Sequence, residues 1–287
     1  MAKKNLPIVA LIYDFDGTLA PGNMQEYSFI EAIGKNNDEF WAEAARMAEN
    51  QDSDNILVYM LLMLQKAKEM GISIRRESFQ QFGESVKLFK GVETWFRRIS
   101  EFGSEQGVIV EHYINSSGMK EIIEGTKIAR EFKTVFACSY YYDENGNAVW
   151  PAAAVNYTNK TQFLFKINKG IDSIRDSVKI NESVPEDKKR VAFPNMVYFG
   201  DGETDVPCMK LIKQLGGTAV AVYEPNNAKK REIARSLINQ ERVNYVCPAD
   251  YSRGKHLETL VKAIICKIKA DTDLLRLKKE FKAKGYK

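Results

Sequence analysis

Six apolar or aromatic residues, Ile8–Tyr13, run without a polar break into Asp14-Phe15-Asp16-Gly17-Thr18. A strand so uniformly apolar is buried on both faces, which suits the interior of a parallel sheet covered by helices. Val108–Ile114, Met196–Phe199 and Thr218–Val222 also look like buried strands, each followed by a polar or glycine-rich turn. Helical patterns lie between them, at Met119–Phe132, Lys160–Ile167 and Asp205–Leu215. The alternation predicts an α/β fold built on a doubly wound parallel sheet. Such sheets bind ligands beyond the carboxyl ends of their strands. Asp14, Ser116 and Asp201 all fall at or just past such ends.

The 287 residues are 44% hydrophobic and 28% charged, enough for a sizeable core and an insertion. We expect a core formed by residues 1–20 and 91–287, with a helical cap domain over 21–90. Three helices are expected in the cap. The first spans Asp38–Asn50. The second is capped by Asp52 or Ser53, carries Ile56, Tyr59, Met60, Met63 and Leu64, and stops at Gly71. The third spans Glu77–Phe89 and stops at Gly91. Placed straight after the first strand, this block is a candidate lid. Tyr140–Trp150 reads as a β-hairpin turning at Asn145-Gly146. Asp143, Asn145 and Asn147 echo a calcium loop, but its closing Glu is missing. Residues 271–287 read as a basic helix with a solvated face.

The net charge of +4 is small for this length, with no dominant basic block, so no nucleic-acid partner is expected. The longest apolar stretch, Ile56–Leu64, is too short to span a bilayer, and no membrane partner is expected. Met1-Ala2-Lys3-Lys4 imitates the start of a signal peptide, but the apolar run after it stops at Asp14 without a small-residue cleavage site. The 4 cysteines are widely separated and there are 2 histidines, which argues against a zinc site. Reduced thiols in a cytoplasmic protein are the expectation.

Two carboxylates one residue apart at the tip of a buried strand repel each other unless a cation or a shared proton intervenes. Asp14 and Asp16 therefore suggest a metal site with a carboxylate left to attack, although Asp-Gly is also a common turn. Asp201 is the first carboxylate after another strand, and Asp205 lies in the first turn of the next helix, where negative charge suits the dipole. On neighbouring strands these acids would crowd one sheet edge and demand a hard cation. Oxygen-only ligands select Mg2+. The Ser116 hydroxyl, with the N–H groups of Ser117 and Gly118 at a helix start, would make an anion pocket; an ordinary Ser N-cap reads the same way. Lys160 opens a helix, where a cation opposes the dipole. It is tolerable there on a surface, and more telling if it faces a phosphate.

Together these segments resemble the haloacid dehalogenase (HAD) superfamily of phosphohydrolases. Asp14-Phe15-Asp16-Gly17-Thr18 looks like its first motif, Ser116 its second, Lys160 its third and Gly200–Asp205 its fourth, in family order. The likeness covers Ile8 to about Val222, and Pro248–Ser252 before a helix is also similar. The helical insertion is similar to the cap of the phosphoserine-phosphatase-like branch. That branch's residues for a phosphoserine head group have no match here beyond Glu26, a loose candidate. The resemblance implies a Rossmann-like core and a Mg2+-dependent phosphatase acting on a small phosphorylated metabolite. It implies that Asp14 forms an aspartyl-phosphate and that Asp16 serves as acid and then base. Asp14, the Asp16 carbonyl and Asp201 would hold Mg2+, with Asp205 orienting a water or Lys160. Ser116 and Lys160 would bind phosphoryl oxygens, and Thr18 would fix the loop or touch the substrate. Tyr27, Tyr59, Arg46, Arg75 and Arg76 are candidates for the leaving-group pocket. A phosphomutase, a non-catalytic scaffold and a phosphonate hydrolase using Lys66, Lys68, Lys87 or Lys90 are the alternatives. Asp16 and Asp201 weigh against a metal-free dehalogenase.

Overall fold

The computed structural model describes residues 6–176 and 178–285; the basic start at residues 1–5 and the last two residues of the tail lie outside them. Seven strands form one sheet in the order β4-β3-β2-β1-β5-β6-β7. They are β1 (Ile8–Tyr13), β2 (Ile109–Met119), β3 (Thr134–Tyr142), β4 (Ala148–Ala153), β5 (Met196–Gly200), β6 (Thr218–Tyr223) and β7 (Tyr245–Pro248). Every pairing is parallel except the β3–β4 hairpin. β1 lies between β2 and β5, and Val9–Tyr13 are fully buried, as its apolar run requires. The chain builds outward from β1 through β2 and β3, then returns to build the other side from β5. The boundary between β1 and β5 is thus the topological switch point, where such sheets bind ligands.

Two strands escaped the sequence reading. β3 merges into the hairpin whose second arm is β4, and β7 is only 4 residues long. β2 also runs past its expected end at Ile114, through an irregularity, to pair Met119 with Cys138 of β3. The helix expected over Met119–Phe132 is therefore reduced to a short helix at Lys120–Glu124 and a 3-10 turn at Ala129–Glu131. The hairpin turns at Gly146, whose φ of +78° suits glycine. Asp143 Oδ1 accepts the N–H groups of Asn145 and Asn147, which is turn chemistry and not a calcium loop.

The insertion holds α1 (Phe29–Ala32), α2 (Asn37–Asn50), α3 (Asn55–Glu69) and α4 (Arg76–Gly83). A capping box between Asn36 and Glu39 starts α2. Asp54 caps α3 through the N–H groups of Ile56 and Leu57. Asp52 and Ser53, the expected caps, belong to the preceding turn, where Asp52 has a φ of +49°. α4 ends at Gly83, short of the expected Phe89. It crosses α6 (Lys120–Glu124) so closely that a Cβ on Gly83 would lie 2.1 Å from the Ile122 carbonyl oxygen. Polar ties hold the insertion to the sheet: Tyr59 donates to the Ser117 carbonyl and Tyr140 to the Met60 carbonyl, both at 2.7 Å. Phe40, Met60, Met63 and Phe79 join the sheet residues in one buried cluster. At roughly 1.5–3 kcal/mol for each large side chain buried, that contact anchors the insertion.

Outside the insertion, α5 (Val92–Glu105), α7 (Lys160–Lys169), α8 (Val178–Asn181), α9 (Val206–Gln214), α10 (Ala228–Asn239) and α11 (His256–Ala283) complete the helices. From Leu274 onward α11 is exposed, in keeping with a solvated basic tail. Among the described residues no helix is long and apolar enough to cross a membrane.

Candidate active site

Asp14 and Asp201 leave adjacent parallel strands at the same edge. The Asp14 N–H donates to the Phe199 carbonyl at 2.9 Å, which fixes the two chain ends side by side. The loop after Asp14 is a tight turn: the Phe15 carbonyl accepts from Thr18, Leu19 and Ala20. Gly17 sits at its crest with a φ of +71°, and a Cβ there would lie 2.2 Å from Asp201 Oδ2. Only glycine lets this turn close over the second acid.

Carboxylate oxygens of Asp14, Asp201 and Asp205 all lie within 4.8 Å of one another. Lys160, 0% exposed, sits at the start of α7 with Nζ 2.9 Å from Asp14 Oδ1 and 2.6 Å from Asp205 Oδ1. Asn115 holds this helix start by donating to the Lys160 carbonyl at 3.1 Å. Asp205 Oδ1 also accepts from the Tyr198 hydroxyl at 2.7 Å, while its Oδ2 is buried without a partner. Asp201 Oδ2 lies 3.2 Å from Lys230 Nζ. Three close carboxylates around one buried lysine, with a carboxylate oxygen left orphaned, fit a hard divalent cation. The Asp16 carboxylate stands apart from this group: its Oδ1 accepts the Met24 N–H at 2.9 Å.

Burial, with Asp205 and Asp201 nearby, pushes the Asp14 carboxyl above its ordinary range, and Lys160 opposes the shift. Burial and the neighbouring Asp14 push Asp16 well up. Burial and Asp205 raise Asp201. Burial alone would lower Lys160, but Asp14 and Asp205 outweigh it and hold the ammonium more firmly than in water. A bound cation would act in the opposite sense on the carboxylates and favour their charged forms.

A pocket of about 300 Å³ opens over this centre. The core contributes Asp14, Asp16, Ser116, Ser117, Asp201 and Thr204 to its lining; the insertion side contributes Asn23, Gln25, Trp41, Ile56 and Tyr59. Tyr59 was the one lining residue of the insertion singled out from sequence. Asn23 and Gln25 follow Thr18 by five and seven residues, and that closeness to the motif loop is the signal by which both could have been found. Trp41 and Ile56 lie on helical faces with nothing to separate them from packing residues.

Ser117 and Gly118 depart from expectation. They belong to β2, and the next helix begins only at Lys120, so they form no helix-start anion pocket. The Gly118 N–H is taken by Ser116 Oγ at 3.0 Å, and Gly118 does not line the pocket. Its bareness instead admits Met24, whose Cε would lie 2.0 Å from a Cβ there. Thr18 is buried outside the pocket lining, and its carbonyl accepts from the Tyr251 hydroxyl at 2.7 Å. That bond ties the motif loop to the Pro248–Ser252 segment. Tyr27, Arg46, Arg75 and Arg76 are not among the lining residues; Arg76 stacks 4.3 Å from the Tyr142 ring centroid. Lys66 pairs with Glu43 and Glu69.

No family model matches the sequence. The chain is 30% identical over 286 residues to an uncharacterized protein of Borreliella burgdorferi, covering 90% of this chain and 97% of the relative; the two belong to one family. Among solved structures, a probable phosphoserine phosphatase from Vibrio cholerae aligns with a TM-score of 0.56 at 13% identity, over 94% of this chain and 69% of its own. A HAD family hydrolase from Salmonella enterica subsp. enterica serovar Typhi aligns at 0.54 and 16% identity, over 85% and 68%. A phosphoserine phosphatase solved as a phospho-aspartyl intermediate analogue aligns at 0.51 and 16%, over 90% and 99%. At such identities the likeness is one of fold.

Proposed function

The chain has the fold of the haloacid dehalogenase superfamily, phosphoserine-phosphatase-like in its branch, and from that premise we propose that it is a Mg2+-dependent phosphatase of small phosphomonoesters. The observation that carries the reading is the Asp14–Lys160–Asp205 chain of contacts beside Asp201 at the switch point. A scaffold that only binds has no need of a buried lysine held between two acids under an open pocket.

In the first step Asp14 attacks phosphorus, and the bond to the leaving alcohol breaks. Asp16 gives its proton to the departing oxygen. A carboxylate nucleophile divides hydrolysis into two easier displacements. In the second step Asp16 takes a proton from water, which attacks phosphorus, frees Asp14 and releases inorganic phosphate. The raised affinity of Asp16 for its proton suits a group that must first be an acid. Lys160 and Ser116 hold the transferring phosphoryl oxygens, where charge stabilisation matters most. Mg2+, held by Asp14, Asp201 and the Asp16 carbonyl with Asp205 behind them, would shield charge so that one anion can approach another. No lysine of the insertion is among the lining residues, which favours a phosphatase over a Schiff-base phosphonate hydrolase. The test is phosphate release from p-nitrophenyl phosphate. Turnover with Mg2+ that stops in EDTA is expected; its absence in a folded, Mg2+-loaded protein would overturn the proposal.

A further inference from the structure

We propose that the leaving group bears no negative charge of its own: the substrate is the phosphate ester of a small neutral alcohol, read by Gln25 and Ser117. The inference rests on the phosphatase reading and names its substrate class.

Among the described residues the pocket lining contains no lysine, arginine or histidine. The lysine at the centre, Lys160, is already held by Asp14 and Asp205. A carboxylate on the leaving group would enter beside Asp16, and Lys230, which lies outside the lining, is already held by Asp201 at 3.2 Å. Desolvating that charge next to like charge is costly.

Two atoms say what the pocket does accept. Gln25 is 1% exposed and lines the pocket, yet its Oε1 is buried without a hydrogen-bond partner. Ser117 Oγ, also in the lining, is likewise buried and unpartnered. Buried polar atoms are almost always satisfied, so these two are placed for a ligand. An alcohol hydroxyl both donates and accepts, and can meet an amide and a serine together. Trp41 and Ile56 offer the apolar surface for its carbon chain.

Glu26 does not offset this by reading an ammonium. Its Oε1 accepts from Trp41 Nε1 at 2.8 Å and Asn23 Nδ2 at 2.6 Å, and its Oε2 accepts the Asn23 N–H at 3.2 Å. Glu26 fixes the pocket wall and is absent from the lining. An amino-acid head group still brings a carboxylate, which finds no counter-ion among these lining residues. The volume of about 300 Å³ lies at the small end for ligand sites and limits the alcohol to a few carbons.

Glycerol 3-phosphate and 3-phosphoglycerate differ in a hydroxymethyl group against a carboxylate, and so isolate the charge. Each is measured for kcat/KM or, if not turned over, as a competitive inhibitor of p-nitrophenyl phosphate hydrolysis. We expect a preference of about 100-fold for glycerol 3-phosphate. Gln25→Arg should narrow that ratio at least about tenfold by admitting the carboxylate. Equal or better use of 3-phosphoglycerate by the wild type, with p-nitrophenyl phosphate still hydrolysed, refutes the substrate class and leaves the phosphatase reading standing. Failure to hydrolyse all three refutes the phosphatase reading, and the substrate class with it.

Discussion

Replacing Lys160 with Met tests whether the centre is an electrostatic assembly. The ammonium is fully buried and touches two buried carboxylates, at 2.9 and 2.6 Å. Met keeps most of the volume and the apolar stem but removes the charge. Removing one partner of a buried pair costs about 3–5 kcal/mol, because the other charge is left uncompensated. For a chain of this length each kcal/mol moves the melting temperature by about 2 °C, so the metal-free variant should melt roughly 6–10 °C lower. The loss should shrink at pH 5, where the stranded carboxyls can take up protons. Mg2+ should stabilise the variant more than the wild type, since a cation supplies the missing charge. Asp205→Asn added to Lys160→Met should restore part of the loss, the sign of coupling that a double-mutant cycle isolates. The assay is thermal unfolding by circular dichroism at pH 5 and 8, with EDTA or Mg2+. A variant that melts within 2 °C of wild type in EDTA at pH 8 would refute the reasoning.

Other perturbations probe the remaining parts. Asp16→Asn should slow the first step for alkyl phosphates by about 100-fold or more, while p-nitrophenyl phosphate still phosphorylates Asp14 and then stalls because the attacking water has lost its base; a rapid burst of p-nitrophenol followed by slow turnover, with no burst from alkyl phosphates, reads the difference. Gly17→Ala forces a side chain to φ +71° and toward Asp201, so in a Mg2+ titration of activity half-saturation should need at least about tenfold more Mg2+. In EDTA the stability of the wild type relative to Asp14→Asn should fall as pH rises from about 4 to about 7; the comparison cancels buried His112, which is held neutral down to about 4 and acts in the opposite sense in both proteins. The Asp14 carboxyl is pushed up to about 7 in the fold, against 3.8 as its ordinary value, so the folded state holds the proton that the unfolded state has lost. Urea unfolding of both proteins at intervals across that window, with a flat or rising difference, would contradict the sign.

Much of the fold was legible because β1, β5 and β6 are apolar runs ended by acid or glycine, the pattern of strands buried on both faces. β7 was not, since 4 residues carry too little periodicity, and β3 was masked by the hairpin it enters. The acids and Lys160 could be picked out because each occupies a strand end or helix start, where local rules apply. The arrest of α4 by its backbone contact with α6 could not, because Gly83 and Ile122 meet only in the folded chain. For the same reason the extension of β2 through Ser117 and Gly118 was hidden: it depends on pairing with β3, a strand that had not been recognised. Trp41 and Ile56 reach the pocket from helices of the insertion, and their sequence context resembles ordinary packing.

The central claim is that Asp14 becomes phosphorylated. Acid quench of the enzyme during turnover, followed by borohydride reduction and peptide mass spectrometry, converts an aspartyl-phosphate to homoserine and locates it. The account predicts homoserine at position 14, formed only with substrate and lost in Asp14→Asn. Steady turnover with Asp14 unmodified, or modification at another residue, would contradict it.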